Sequence, residues 1–199
     1  MEIHVGCIVE GHGDREAVPV LIRRIAERLD PALVVHVAPP IRTSRYKLVK
    51  PGELERAVEL AARRVGGQGA VLILLDSEDD CPAHLGPELL RRAVQARSNV
   101  PLAGVLAKCE FESWFLAAAD SLRGNRGLVK DLCSPPDPEA VRGAKEWLSQ
   151  RMESGRTYSE TLDQPALAAC FDFDVARRAD SFDKCYRDIV RLLTSLPPF

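Results

Sequence analysis

Carboxylates gather at two places where an apolar run has just ended. "CIVEGHGD" (7–14) sets Glu10 and Asp14 around two glycines, and "LLDSEDD" (74–80) sets Asp76, Glu78, Asp79 and Asp80 after the longest apolar stretch of the chain. Carboxylates that converge without matching Lys or Arg repel and raise one another's pKa values, and a hard divalent cation relieves the repulsion. Mg2+ or Mn2+ is the natural occupant of such a site. In extended backbone, side-chain alternation puts Asp76, Glu78 and Asp80 on a common side and leaves Asp79 toward solvent. Asp14 also has an ordinary task open to it, as a cap where a helix begins.

The elements that must position these residues follow from periodicity. Residues 3–9 read as a buried strand that enters the turn Glu10-Gly11-His12-Gly13, whose glycines let the backbone turn and leave room for a substrate. From Asp14 a helix carries Val18, Leu21, Ile22, Ile25 and Leu29 on one face, and Pro19 is tolerable near its start. Residues 32–37 form a second strand, followed by the loop "APPIRTSRYKLVKPG" (38–52). Leu54, Val58, Ala61, Ala62 and Val65 then mark a helix opened by Pro51 and ended by Gly66-Gly67. Residues 69–76 are a strand apolar on both faces, with a helix near 87–97, a strand near 102–108 and a helix from Glu110 through "EFESWFLAAADSL" (110–122) behind it.

This β-α-β-α-β order predicts an α/β fold with a mostly parallel central sheet and helices on both faces. Sites in such sheets lie beyond the carboxyl ends of the strands, so Glu10 and Asp76 share one sheet edge. Past Asp120, helices near 138–152 and 182–194 make a C-terminal helical extension (121–199) packed on the core (1–120), in one domain spanning 1–199.

Composition narrows the partners. A formal charge of −2 over 199 residues gives no global attraction for nucleic acid or anionic membrane, so any such contact is local. The loop residues Arg42, Arg45 and Lys47, with Tyr46 among them, are the candidate phosphate-tracking group. No apolar run is long enough to span a bilayer and no basic segment precedes the first apolar residues, so the expectation is a cytoplasmic protein without a membrane partner. The six cysteines include no C-x-x-C pair, which disfavours a zinc ribbon or a dithiol redox site. No G-x-x-x-x-G-K-[ST] loop is present, so ATP hydrolysis is not expected of this chain alone.

"VEGHGD" followed across this order by "LLDSEDD" resembles the Toprim superfamily of topoisomerases, bacterial primases, OLD-family nucleases and recombination-repair proteins. The resemblance implies that Glu10 and Asp76 bind Mg2+ for phosphoryl transfer, with Asp14 as the acid that OLD-type members place four positions later. Glu78 stands where the family has the second Asp of D-x-D, a departure that puts catalytic competence in question. Lys108 falls where OLD-type nucleases have a Lys of catalytic weight. More closely, the chain resembles a family of uncharacterised prokaryotic Toprim-like proteins, domain of unknown function family 4276, often encoded beside an ABC-type ATPase. "CEFESWFLA", with Glu112 and Trp114, matches its E-x-W segment, and "YSETLDQPALAACFD" and "SFDKCYRDI" match its C-terminal positions.

The leading expectation is thus a Mg2+- or Mn2+-dependent nuclease. Glu10, Asp76 and Glu78 hold metal, Asp80 or Glu112 assists a second ion, Lys108 stabilises developing charge, and phage defence beside an ABC-type ATPase is what the resemblance implies. The alternative is a non-catalytic metal-binding module that regulates a partner ATPase. A receiver-like phosphoacceptor ranks last, because receivers place adjacent acids after the first strand. A homo-oligomer is compatible with either leading reading.

Overall fold

Uninterrupted apolar runs build the sheet. In the computed structural model, which describes residues 2–67 and 69–195, β1 (Glu2–Val9), β4 (Ala70–Asp76) and β5 (Leu102–Ala107) are buried along most of their length. β2 (Val34–Val37) pairs with the first half of β1 and the two-residue β3 (Ile41–Arg42) with its end. The order is β2-β1-β4-β5, and every pairing is parallel. This is the expected α/β architecture with its mostly parallel sheet.

Alternation divides the strand residues between two cores. Val5, Cys7, Val9, Leu72, Leu74, Val105 and Ala107 face α1 (Asp14–Leu29) and α9 (Asp180–Thr194), whereas Ile8, Val71, Ile73, Leu75 and Leu106 face α3 (Glu53–Arg64) and α4 (Pro82–Ala96). Helices therefore cover both faces. The C-terminal region is more than an addition to residues 1–120, because α9 packs directly on β5 and β4 beside α1.

Several boundaries differ from the sequence reading for local reasons. α4 starts at Pro82 rather than near 87, with Pro in the first turn where its missing N–H costs nothing. The helix expected from Glu110 is a short α5 (Ser113–Ala117) followed by a 3-10 turn, Ala119–Leu122. The helix expected over 138–152 is a 3-10 turn, Pro138–Ala140, and then α6 (Ala144–Ser149), separated at Gly143, which takes a left-handed φ of 69°. α2 (Arg45–Leu48), read as loop, is one helical turn; α7 (Glu160–Ala168) and α8 (Phe173–Ala176) were not anticipated.

Aromatic residues join the C-terminal helices to the rest. Phe182 of α9 is fully buried, edge-on to Trp114 of α5 at 5.3 Å and to Phe171 at 5.2 Å. Phe182→Ala is expected to lower unfolding free energy by about 3–5 kcal/mol, read from urea denaturation. A loss below about 1 kcal/mol would show that the C-terminal helices are not integral to the core.

Candidate functional site

β1 and β4 end together at one sheet edge, with Val9 paired to Leu74. Continuing that register by one residue sets Glu10 beside Leu75, so Glu10 and Asp76 share the edge but leave it toward opposite faces. Two acidic groups result, one on each side.

The outer group is organised by Arg45 at the start of α2. Its backbone N–H donates to Glu10 Oε1 at 2.9 Å, one guanidinium nitrogen donates to Glu78 Oε2 at 2.9 Å and the other pairs with Asp80. Tyr46 adds its hydroxyl to Glu78 Oε2 at 3.0 Å. The backbone does not stay extended past Asp76, because Glu78 is left-handed at φ 49° and the Asp80 N–H returns to the Ser77 carbonyl. The common side expected for Asp76, Glu78 and Asp80 is accordingly not formed: Glu78 and Asp80 converge on Arg45 while Asp76 stays with the inner group.

Glu10 retains unused capacity. Its Oε2 is buried and has no hydrogen-bond partner among the described residues. Burial pushes its carboxyl above the usual range; the Arg45 N–H opposes this, and the charge of Glu78 adds to the rise.

The inner group holds Asp14, Asp76 and Glu112. Asp14 Oδ2 accepts the Gly11 N–H and Oδ1 accepts the Gln164 amide, both at 2.7 Å. Asp76 Oδ1 accepts the Phe111 N–H at 2.8 Å, and its Oδ2 takes no hydrogen bond or ion pair among the described residues. Glu112, only 1 % exposed, accepts the Tyr158 hydroxyl on Oε1 at 3.0 Å. Lys145 Nζ lies 3.1 Å from Glu112 Oε2 and 3.3 Å from Glu110 Oε2. Burial, then Asp14 and Glu112, hold Asp76 well above the usual carboxyl range, and burial raises Glu112 to about 7 despite Lys145. Asp14 joins the two groups electrostatically, since its charge acts on both Glu10 and Asp76.

The glycines serve close approach more than turning. Neither Gly11 nor Gly13 is left-handed, but a Cβ on Gly13 would meet Gln164 Oε1 at 1.9 Å, and one on Gly11 would meet Glu160 Oε1 at 2.7 Å. The room expected for substrate beside this turn is filled by the start of α7, whose Glu160 accepts the Gly13 N–H at 3.0 Å.

Other anticipated residues lie apart. Lys108 is exposed on the far side of β5, lining a cavity of about 380 Å³ with Leu106 and Lys184, outside both acidic groups. The basic loop divides: Arg42 and Lys47 face solvent along one shallow depression, Lys47 pairs with Glu53 at 3.4 Å, and Arg45 turns inward at 7 % exposure. Asp79 is exposed and pairs with Arg142 at 2.6 Å, and His12 is exposed. Lys145, Tyr158, Glu160 and Gln164 went unassigned from sequence. By resemblance Tyr158 and Gln164 fall on the family's C-terminal Tyr and Asp-Gln positions, but nothing local distinguishes Glu160 or Lys145.

The donors are all hard oxygens, the chemistry that Mg2+ and Mn2+ prefer. Among the described residues no three His, Cys, Asp or Glu side chains stand close enough to cage an ion. Mg2+ is commonly held by one or two carboxylates and keeps several waters, and Glu10 and Asp76 each present one oxygen without a partner among the described residues.

Fold and site together define a parallel α/β protein with a partly self-neutralised acidic centre at the carboxyl edge of its sheet. The chain belongs to the family described as Domain of unknown function (DUF4276), which matches residues 9–189 and so spans both acidic groups. No curated protein and no solved structure matches it. No described helix is long and apolar enough to cross a membrane.

Glu112 gives the centre a pH signature. Between its ordinary value of 4.5 and about 7, the folded chain binds more protons at Glu112 than the unfolded chain does. Stability therefore falls as pH rises through that window, by on the order of 3 kcal/mol from this group. Urea unfolding at pH 5 and pH 8 is expected to show the fall, and Glu112→Gln to flatten it. An unchanged slope in the variant would assign the effect elsewhere.

Proposed function

We propose that this chain is a Mg2+- or Mn2+-dependent phosphoryl-transfer enzyme acting on nucleic acid, a nuclease of the Toprim type. The observation that carries the reading is the unpartnered, buried Glu10 Oε2 at the same sheet edge as the open Asp76 oxygen, with the charge of Asp14 acting on both. A buried carboxylate oxygen without a donor is costly unless a proton or cation answers it.

Glu10 and Asp76, which leave the edge toward opposite faces, would hold the ion beyond the strand ends, and the ion would polarise a phosphodiester and activate water. Asp14, fixed by the Gly11 N–H and the Gln164 amide, positions the turn that presents Glu10. Glu78 and Asp80 are committed to Arg45 and join only if α2 moves. Exposed Arg42, Lys47 and Tyr46 are suited to a sugar-phosphate chain through charge and stacking. Lys108, on the far side of β5, is given no part at the reacting centre. The resemblance extends the proposal to phage defence beside an ABC-type ATPase, the chain lacking a phosphate-cradling loop of its own.

A second reading has its own support. Arg45 already neutralises Glu78 and Asp80, and no three-donor cage is preformed among the described residues, as suits a metal-binding module that regulates a partner without cleaving nucleic acid. Calorimetric titration with Mn2+ separates the two when run beside a plasmid-nicking assay. The nuclease reading expects binding, Mn2+-dependent nicking, and at least tenfold weaker affinity in folded Glu10→Gln and Asp76→Asn. Binding without nicking of DNA or RNA favours the module, and absence of binding overturns the metal site.

A further inference from the structure

Lys145 is the one cation among the described residues that pairs with any member of the inner group. Asp14, Asp76, Glu110 and Glu112 bring four carboxylates to that side against its single ammonium. The charges of Glu112, Asp76 and Glu110 raise the Lys145 pKa although burial works to lower it.

The surroundings of Lys145 form a built unit. α6 begins at left-handed Gly143, which sets Lys145 in its first turn, directed at Glu110 and Glu112. Ser149, at the other end of α6, donates its hydroxyl to the Lys145 carbonyl at 2.9 Å and accepts the Tyr158 N–H at 3.1 Å. The ammonium on one oxygen of Glu112 and the phenol on the other are thus presented by segments joined through one serine. An ammonium is a compact point charge with three donors, able to take the place of a small cation among oxygens but not to polarise them as a divalent ion does.

We propose that Lys145 is a resident cation that fills the position a second divalent ion would take between Glu110 and Glu112, and so limits the chain to a single metal ion. The single ion is that of the preceding section, and the proposal rests on that reading for it; the occupancy of the inner group by Lys145 is tested independently. Removing the ammonium while keeping an apolar stem leaves the inner carboxylates without a counter-ion, and a hard cation is then the group that satisfies them.

The test counts Mn2+ per full-length chain, by calorimetry and by electron paramagnetic resonance, in wild type, Lys145→Met and Lys145→Met with Glu112→Gln. Lys145→Met is expected to bind one more ion than wild type, and its melting temperature to rise about 5 °C further at a hundred times the dissociation constant. Adding Glu112→Gln is expected to remove the extra ion. A folded Lys145→Met that binds no more Mn2+ than wild type overturns the proposal. Should Lys145→Met fold poorly, Lys145→Gln prepared with and without Mn2+ decides: folding restored by the metal supports the inference, and failure of Mn2+ to restore it counts against it. An extra ion in Lys145→Met over a wild type that binds none would retain this inference while removing the metal from Glu10.

Discussion

The pairing of Val9 with Leu74 is the constraint on which the acidic centre depends. In a parallel pair, a one-residue offset at the strand ends is enough to send two side chains to opposite faces. Asp76 continues the row of Leu72 and Leu74 toward α1, whereas Glu10 continues the row of Ile8 toward α3. Each carboxylate then meets different company: Arg45 and its acidic partners on one side, Asp14, Glu112 and Lys145 on the other. Asp14 lies at the start of α1, where its charge reaches both.

Crowding of like charge in poorly solvated surroundings is unfavourable, and the chain offsets it with segments far away in sequence. Arg45 comes from the turn after β3; Lys145, Tyr158 and Gln164 come from the C-terminal region. That region also supplies α9 to one face of the sheet and Phe171 and Phe182 to its aromatic cluster. The same helices therefore complete the core and close over the glycine turn, which makes the centre inseparable from the fold. Strain is concentrated nearby, since Glu78 and Cys109 are both left-handed and meet through the Glu78 N–H to Cys109 carbonyl bond at 3.0 Å.

The sheet and its acidic edge were legible because they rest on local pattern. Apolar runs gave β1, β4 and β5, and the residues that ended them gave Glu10 and Asp76. Face and partner were not legible, because they depend on register and on contacts more than a hundred residues apart, such as Asp14 with Gln164. Arg45 illustrates the limit: its basic neighbours suggested a solvent-facing loop, yet three acids draw it inward. Lys145 sits in a six-residue helix whose sequence resembles any amphipathic surface segment, so only its spatial neighbours mark it.

The central claim is that a divalent cation belongs at Glu10 and Asp76. Anomalous diffraction at the manganese edge from crystals grown with Mn2+ tests it most directly. The account predicts a peak bonded to the carboxylate oxygens of Glu10 and Asp76, with Arg45 still on Glu78 and Asp80 and Lys145 still on Glu112. A peak held by Glu78 and Asp80 with Arg45 displaced, or no peak at the sheet edge, would contradict it.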